Sequence, residues 1–183
     1  MDVLPGLSAD LDGAFPTLVE SYQDALYRFA LRLTGNSQDA EETAQEAFVR
    51  AYRWLKAHRA AAAELSLRPW LYQVTLNVFR NRVRRPRPAT ASLDDTLELA
   101  GDGRIEPAAI AERTETRADL ERVLARLPRR YREAVVLRHV EDLSYPEMAA
   151  VLRRPEGTIK SDVHRGLGLL RAALAPVPEE ILV

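Results

Sequence analysis

Apolar residues recur at steps of three and four along most of this chain, which is the period of an amphipathic α-helix. The first series stops at Thr34-Gly35-Asn36-Ser37, where Gly35 suits the position just past a helix end and Asn36 or Ser37 can cap the next helix. No segment sustains the apolar–polar alternation of a β-strand. The pattern therefore predicts an all-α chain. The first series consists of Phe15, Leu18, Val19, Tyr22, Leu26, Phe29 and Leu33.

This periodicity lapses between Pro86 and about residue 111, where Pro, Gly, Asp, Ser and Thr accumulate as they do in linkers. Three helical segments precede the lapse, and four follow it as far as Leu174. We therefore predict two small helical domains joined by a flexible linker. The predicted boundaries are 1–85 for the three-helix domain, 86–111 for the linker, 112–175 for the four-helix domain and 176–183 for a tail.

Charge is distributed in blocks although the net charge of the chain is only −1. Residues 68–87 carry six Arg and no acid, 89–121 carry nine acids and three Arg, and 122–138 carry six Arg and one acid. Such blocks favour two basic interaction surfaces connected by an acidic segment, although solvated faces with chance clustering would give the same pattern.

The chain lacks residues that several classes of function require. The chain has no Cys, its three His residues are far apart, and it has no glycine-rich phosphate loop. We expect no catalytic residues, no metal and no cofactor. The first residues lack the features of a secretory signal, and no apolar run reaches the roughly 20 residues that span a bilayer, so no membrane contact is expected.

A helix-turn-helix is indicated near the C-terminal end. Ser144-Tyr145-Pro146-Glu147 has the pattern of a capping box, and a turn at Arg153-Arg154 separates its short helix from the next. Projected at 100° per residue, the second helix places Ile159, Val163, Gly166 and Leu170 on one side. The other side has the small and hydrogen-bonding character of a major-groove reader. An ordinary charged surface helix is the alternative, but the short turn, the cap and the small outer residues together favour the reader. This outer side carries Lys160, Ser161, His164, Arg165 and Gly168.

Two faces stand out in the N-terminal half. The third helix has a stripe of amides and guanidiniums without an acid, which suits phosphate and base contacts but also describes a basic surface that binds nothing. The second helix has an outer stripe that is acidic towards its N-terminus, which the helix dipole alone would favour. The first stripe is Gln73, Asn77, Arg80, Asn81 and Arg84, and the second is Asp39, Glu42, Glu46, Arg50 and Arg53.

Both halves resemble the extracytoplasmic function sigma factors of bacterial RNA polymerase. The C-terminal half resembles their region 4, and the N-terminal half resembles their region 2. The resemblance is carried by Leu127-Pro128-x-x-Tyr131-Arg132-Glu133-Ala134, Asp142-Leu143-Ser144-Tyr145-x-Glu147-Met148-Ala149, Glu156-Gly157-Thr158-Ile159-Lys160-Ser161-x-Val163-His164-Arg165-Gly166, Asp39-Ala40-Glu41-Glu42-x-x-Gln45-Glu46 and Arg68-Pro69-Trp70-Leu71-Tyr72-x-Val74-x-x-Asn77-x-x-x-Asn81.

The resemblance implies a cytoplasmic alternative sigma factor without enzymatic activity. Region 2 would bind the β′ clamp helices of core polymerase, region 4 would bind the β flap, and an anti-sigma factor is an expected further partner. Promoter DNA would be recognised at its minus-ten and minus-thirty-five elements. The implied residues are Asp39, Glu42, Gln45 and Glu46 for core binding; Gln73, Asn77, Arg80, Asn81 and Arg84 for the minus-ten element; and Arg154, Thr158, Lys160, Ser161, His164 and Arg165 for the upstream element.

The chain departs from the family pattern at Asp162, in the segment His58–Leu67, and around Thr75 and Leu76, where the family usually has small residues. Asp162 stands where the family commonly has a basic residue, and the projection puts it on the flank of the reading face. There its carboxylate could accept from cytosine N4, or it could instead pair with Arg165 or Arg154. The segment His58–Leu67, which in the family holds a flipped base, is rich in alanine. Its hydrogen-bonding candidates are Arg59, Glu64 and Ser66.

Two alternatives remain open from the sequence. One is a helix-turn-helix regulator that binds DNA alone as a dimer. The other concerns the linker, which either lies along the path of the transcript or serves only as a soluble tether. A position along the transcript path is suggested by the acids of the linker, which are Asp94, Asp95, Glu98, Asp102 and Glu106.

Overall fold

The computed structural model describes residues 7, 10–62, 64–84 and 120–174, and all regular structure within them is helical, as predicted. The N-terminal half contains α1 (Leu11–Thr34), α2 (Ser37–Ala57), α3 (Arg59–Ala62) and α4 (Leu67–Arg84). The C-terminal half contains α5 (helical over 120–126), α6 (Arg129–Val135), a π-helical turn (Val136–Val140), α7 (Tyr145–Leu152) and α8 (Glu156–Leu174). The predicted linker with its acids, and the predicted tail, lie outside the described residues.

The junction between α1 and α2 is specified locally. Gly35 has a φ of 69°, which glycine adopts without the strain of a side chain, and its N–H donates to the Leu31 carbonyl at 2.7 Å. Asn36 follows as the N-cap of α2, and its Oδ1 accepts from the Asp39 N–H at 2.9 Å. Both assignments confirm the sequence prediction. The tight turn sets α1 and α2 side by side.

Small residues on α2 allow the N-terminal helices to pack closely. Ala40, Ala47 and Ala51 are fully or almost fully buried. Large side chains from α1 and α4 fill the rest of this core, including Phe29, whose ring meets that of Tyr72 edge-on at 5.0 Å. Ala51 belongs to the core shared with α4, whereas Ala40 packs with Ala30 and Leu31 of α1.

The two halves pack against each other. Their buried apolar side chains form one connected cluster, from Leu11 in α1 to Leu170 in α8. Arg132 of α6 crosses the boundary and donates to the Leu33 carbonyl at 2.7 Å. Sequence periodicity predicted the helices but gave no indication of this contact, which determines which surfaces of α4 are open.

Candidate nucleic-acid and polymerase interfaces

The helix-turn-helix is formed by α7 and α8. The predicted capping box is present: the Ser144 N–H donates to Glu147 Oε2 at 2.7 Å, and the Glu147 N–H donates to Ser144 Oγ at 3.4 Å. Ser144 Oγ also donates to Glu147 Oε2 at 2.6 Å. This hydrogen bond, and then the one from the Ser144 N–H, hold the pKa of the Glu147 carboxyl below its ordinary value. After α7, Arg153 takes a left-handed conformation with a φ of 53°, which turns the chain into α8 within a few residues.

The outer face of α8 is open, as the helical projection predicted. Ile159, Val163, Gly166 and Leu170 are buried. Thr158 is half-buried at the start of the helix. The exposed residues of this face are Lys160, Ser161, His164, Arg165 and Gly168.

Local contacts orient two of these side chains. Ser161 Oγ donates to the Gly157 carbonyl at 3.1 Å. Lys160 Nζ lies 5.2 Å from the centre of the Tyr145 ring and 3.9 Å from Glu156 Oε2. Lys160 is therefore steered towards the N-terminal part of α8, the part that enters the major groove in helix-turn-helix complexes.

The two glycines of α8 have different surroundings. A Cβ on Gly166 would lie 2.5 Å from Val135 Cγ2 and 3.3 Å from the Tyr131 carbonyl oxygen, whereas a Cβ on Gly168 would meet nothing within 4 Å. Gly166 therefore permits close approach of α6, and Gly168 lies on the open face.

Asp162 lies beneath the reading face rather than on its flank. The residue is 0% exposed. Its carboxylate accepts from Arg154 Nη1 at 3.0 Å, as one of the two predicted pairings had it, and from Arg130 Nε at 2.7 Å. Both oxygens of this carboxylate are therefore engaged within the protein, and neither is open on the outer face of α8.

Arg154, a predicted upstream-element residue, points into the same carboxylate network. Its Nη2 also donates to Glu133 Oε2 at 3.0 Å. Arg154 lies in the turn between α7 and α8, and its guanidinium binds two buried acids, Glu133 of α6 and Asp162 of α8. It therefore links these three helices. Its position therefore differs from that of the exposed residues of the α8 face.

The polar stripe on α4 is divided. Asn77, Asn81 and Arg84 are exposed. Gln73 and Arg80 instead contact the C-terminal half: Gln73 Nε2 donates to the Ala150 carbonyl at 2.7 Å, and Arg80 binds Glu133 through both Nε and Nη2, at 3.1 and 2.5 Å. Thus the structure gathers the stripe as predicted, but part of it is covered.

A second carboxylate also joins the halves. Tyr72 Oη donates to Glu141 Oε2 at 2.5 Å, and Arg68 donates to the Glu141 backbone carbonyl. Glu141 immediately follows the π-helical turn, and its N–H donates to the Val136 carbonyl at 3.0 Å. Burial, and then the hydrogen bond to Glu141, raise the pKa of the Tyr72 hydroxyl far above its ordinary value.

A cationic cleft runs between α4 and the C-terminal half. Sequence reasoning missed its contributions from Arg129, Arg130 and Arg153, although the basic block at 122–138 had marked the region. Distant guanidiniums converge there because α6 and the α7–α8 turn both abut α4. The lining residues are Asn77, Arg80, Asn81, Arg84, Pro128, Arg129, Arg130, Glu133, Leu152, Arg153 and Arg154.

The acidic face of α2 borders a separate groove. Glu42, Gln45 and Glu46 line it together with Val49, an apolar side chain that is 43% exposed and was not among the predicted site residues. The 100° projection would have placed Val49 near this face, but the predicted outer stripe counted charged side chains only. An exposed apolar residue ringed by acids is suited to a protein contact.

Intramolecular ion pairs partly neutralise this face. Glu46 accepts from Arg50 Nε at 2.7 Å, and Arg82 of α4 binds Glu42 and reaches Asp39 at 3.4 Å. Gln45 Nε2 donates to Glu41 at 3.0 Å. These pairs are exposed or half-exposed, so a partner can displace them at small cost.

The segment between α2 and α4 offers few polar groups. His58 stacks on Trp54 with ring centres 4.7 Å apart, and Arg59, Glu64 and Ser66 are exposed. Within the described ranges, no three His, Asp or Glu side chains are grouped as a metal site would need. In those same ranges no helix combines the length and apolarity required to cross a bilayer.

Family models and curated relatives match both halves. Residues 18–88 match Sigma-70 region 2, and residues 117–170 match Sigma-70, region 4. The ECF RNA polymerase sigma factor SigW of Bacillus subtilis is 31% identical over 170 residues, which cover 88% of this chain and 89% of SigW. The RNA polymerase sigma-H factor of Pseudomonas aeruginosa is 33% identical over 175 residues, which cover 91% and 89%.

A third relative is longer than this chain. The ECF RNA polymerase sigma factor SigE of Mycolicibacterium smegmatis is 37% identical over 159 residues, which cover 86% of the chain but only 60% of SigE. The chain therefore spans less than two thirds of that relative.

Two solved structures share the fold. One is CnrH in complex with the cytosolic domain of CnrY, with a TM-score of 0.68, 24% identity and coverage of 94% of each chain. The other is the sigma factor RpoE in complex with the anti-sigma factor NepR from Bartonella quintana, with a TM-score of 0.68, 23% identity and coverage of 87% of this chain and 96% of RpoE.

Proposed function

Because this chain belongs to the ECF family of RNA polymerase sigma factors, we propose that it binds core RNA polymerase and directs promoter-specific initiation of transcription. The observation that carries this proposal is the presence of three distinct surfaces in one chain. They are the open face of α8, the amide and guanidinium stripe of α4, and the acidic face of α2. A stand-alone helix-turn-helix regulator would account for the first but not for the match of residues 18–88 to Sigma-70 region 2.

The open face of α8 is proposed to read the upstream promoter element. Its exposed side chains are Lys160, Ser161, His164 and Arg165. Lys160 and Ser161 lie near the N-terminal end of the helix. Arginine and lysine pair with guanine in the major groove, and serine adapts to several bases. Arg154 would support this face from below through Asp162, rather than read bases itself.

The stripe of α4 is proposed to hold the minus-ten element. Asn77, Asn81 and Arg84 are exposed along one side of the helix. Amide groups can pair with base edges of an unpaired strand, while guanidiniums bind its phosphates. Arg80 and Gln73 would join them only when the C-terminal half is displaced. Opening of the duplex would be driven by this binding, without enzymatic catalysis, in the cytoplasm.

The acidic face of α2 is proposed to dock on the β′ clamp helices. Glu42, Gln45 and Glu46 surround the exposed Val49, which gives an apolar centre with a charged rim. Asp39 lies at the N-terminal end of the same face, and the C-terminal half would contact the β flap. The relative RpoE has been solved with an anti-sigma factor, so a protein of that kind is a further proposed partner.

Run-off transcription with core polymerase on a promoter library tests the proposal. Specific transcripts should appear only when chain and core are both present, and co-elution of the two should accompany them. Arg165→Ala should lose transcripts from the selected promoters, whereas Arg171→Ala, a change at an exposed arginine near the end of the same helix, should retain them. DNA binding without any association with core would favour the stand-alone regulator instead.

A further inference from the structure

Arg130 and Asp162 form an ion pair that joins α6 to α8. Arg130 Nε donates to Asp162 Oδ1 at 2.7 Å, and the other carboxylate oxygen accepts from Arg154 Nη1 at 3.0 Å. The side chain of Asp162 is 0% exposed, whereas that of Arg130 is 53% exposed. The acid is therefore fixed inside the protein, and the guanidinium bound to it reaches the surface.

Most of the donors on Arg130 remain open. A guanidinium has five N–H groups, and in the part of the chain that the structure describes only the Nε of Arg130 donates to a protein acceptor. The guanidinium also lies 6.0 Å from the centre of the Tyr131 ring. Arg154 differs, because both its Nη groups bind carboxylates. Arg130 can therefore bind a second anion without releasing Asp162.

This guanidinium lies beside the outer face of α8. At 100° per residue, Asp162 is about 60° around the helix from Arg165 and about 100° from Ser161, both of which are exposed. Because Arg130 is bound to Asp162, it borders the edge of the face on which Arg165 lies. A helix in the major groove has a phosphate backbone on either side, since the groove is only about 12 Å wide. The edge of the face therefore meets phosphates, whereas its centre meets bases.

The ion-pair network around Arg130 has a surplus of positive charge. Four guanidiniums pair with two carboxylates, which leaves a formal charge of +2. Both carboxylates are buried, while all four arginine side chains are partly exposed. A phosphate at the surface therefore meets the cations and is kept apart from the acids. The arginines are Arg80, Arg129, Arg130 and Arg154, and the acids are Glu133 and Asp162.

We propose that Arg130 binds a DNA phosphate at the edge of the groove that α8 occupies, and that Asp162 is the positioning residue that holds its guanidinium there. The inference rests on the proposed function for the placement of α8 in DNA. Nε stays on the carboxylate while the Nη groups bind the phosphate. Anchoring lowers the cost of the contact, because the long side chain loses its conformational freedom on folding and not on binding. Such a contact sets the register of the helix on DNA and carries no base preference.

Arg130→Gln in the full chain tests the phosphate contact. The probe is a fluorescent, mixed-sequence DNA duplex of about 25 base pairs, roughly two helical turns, titrated at a series of salt concentrations. Loss of one phosphate contact should reduce the slope of log affinity against log salt by about 1. Binding should weaken by roughly tenfold at low salt, equally for duplexes of different sequence. Arg53→Gln is the matched control: it removes an exposed arginine from α2, in the other half, and should leave the slope unchanged.

The role of Asp162 is tested by measuring Arg130→Gln again in a chain that carries Asp162→Asn. If Asp162 holds Arg130 in place, the loss of affinity should be smaller in that background, because the unheld side chain must be ordered when DNA binds. If Asp162 instead competes with the phosphate, the loss should be larger. An equal or larger loss would overturn the positioning role.

Circular dichroism at 222 nm and thermal unfolding check that each variant is folded, and Arg130→Gln alone decides the phosphate contact if Asp162→Asn does not fold. A purely structural pair would lower the Tm of Arg130→Gln and leave the salt slope unchanged, and that result overturns the proposal. A loss confined to particular sequences, or no duplex binding by the unmodified chain, overturns it as well. Since the assay needs neither core polymerase nor a promoter, a failed run-off assay beside a reduced salt slope would count against the proposed function and not against this contact.

Discussion

Replacement of Gly166 by alanine tests how closely α8 packs on α6. The added Cβ would lie 2.5 Å from Val135 Cγ2, and Val135 is buried and β-branched, so its methyl group has little freedom to move. Overpacking of this kind costs about 1–3 kcal/mol. Alanine also gains about 1 kcal/mol over glycine in a helix interior, so the net change is a loss of about 0–2 kcal/mol.

Gly168→Ala is the matched control, because it lies two residues away on the same helix and its Cβ would meet nothing within 4 Å. It should stabilise the chain by about 1 kcal/mol through helix propensity alone. The difference between the two variants isolates the packing cost at about 1–3 kcal/mol. Urea unfolding of the full chain, followed at 222 nm, measures it. In a chain that already carries Val135→Ala, Gly166→Ala should cost less stability than it does in the unmodified chain. Equal stabilisation by both glycine substitutions would refute the close approach of α6.

Three further variants test the acidic face of α2, the outer face of α8 and the capping box of α7. Changing Glu42 and Glu46 to Lys should weaken binding to core polymerase and leave helicity intact, because their own ion pairs are largely exposed; unchanged affinity in a co-elution titration would reject the acidic face. Arg165→Ala should cost about 1–3 kcal/mol of upstream binding at one or two base positions if it forms a bidentate contact, and a uniform loss across a set of duplexes would indicate a phosphate contact instead. Ser144→Ala should cost about 0.5–2 kcal/mol in thermal unfolding. Because the pKa of Glu147 is lowered in the folded state, its contribution is present above the unfolded pKa near 4.3 and is lost as pH falls through the folded value. Ser144→Ala should reduce that acid dependence, and an unchanged pH profile would remove the capping box as its source.

Features set by one helix were predictable from the sequence. The period of 3.6 residues assigns faces, so the buried set containing Ile159 and Val163 and the exposed set containing Lys160 and His164 were both correct. Caps are equally local: Gly35, Asn36 and Ser144 act through atoms at most four residues away. In each case the interaction is complete within a few turns of chain.

Features that depend on packing were not predictable. Asp162 was expected at a flank, but its partner Arg130 lies 32 residues earlier, on a helix whose placement periodicity does not give. Val49 was missed because the predicted stripe counted charged side chains only, and its exposure depends on how the neighbouring helices pack. Asp162 is buried and Val49 is exposed because of how α2, α6 and α8 pack against the helices around them.

The stripe on α4 shows that residue types alone do not specify which group a side chain binds. Amides and guanidiniums without acids predict an anionic or polar partner, but carboxylate and phosphate satisfy the same guanidinium fork. Sequence therefore identifies the binding chemistry of Arg80 and leaves its occupant undecided. In the structure the occupant is Glu133, which lies 53 residues from Arg80 in the sequence and meets it only because α6 packs beside α4.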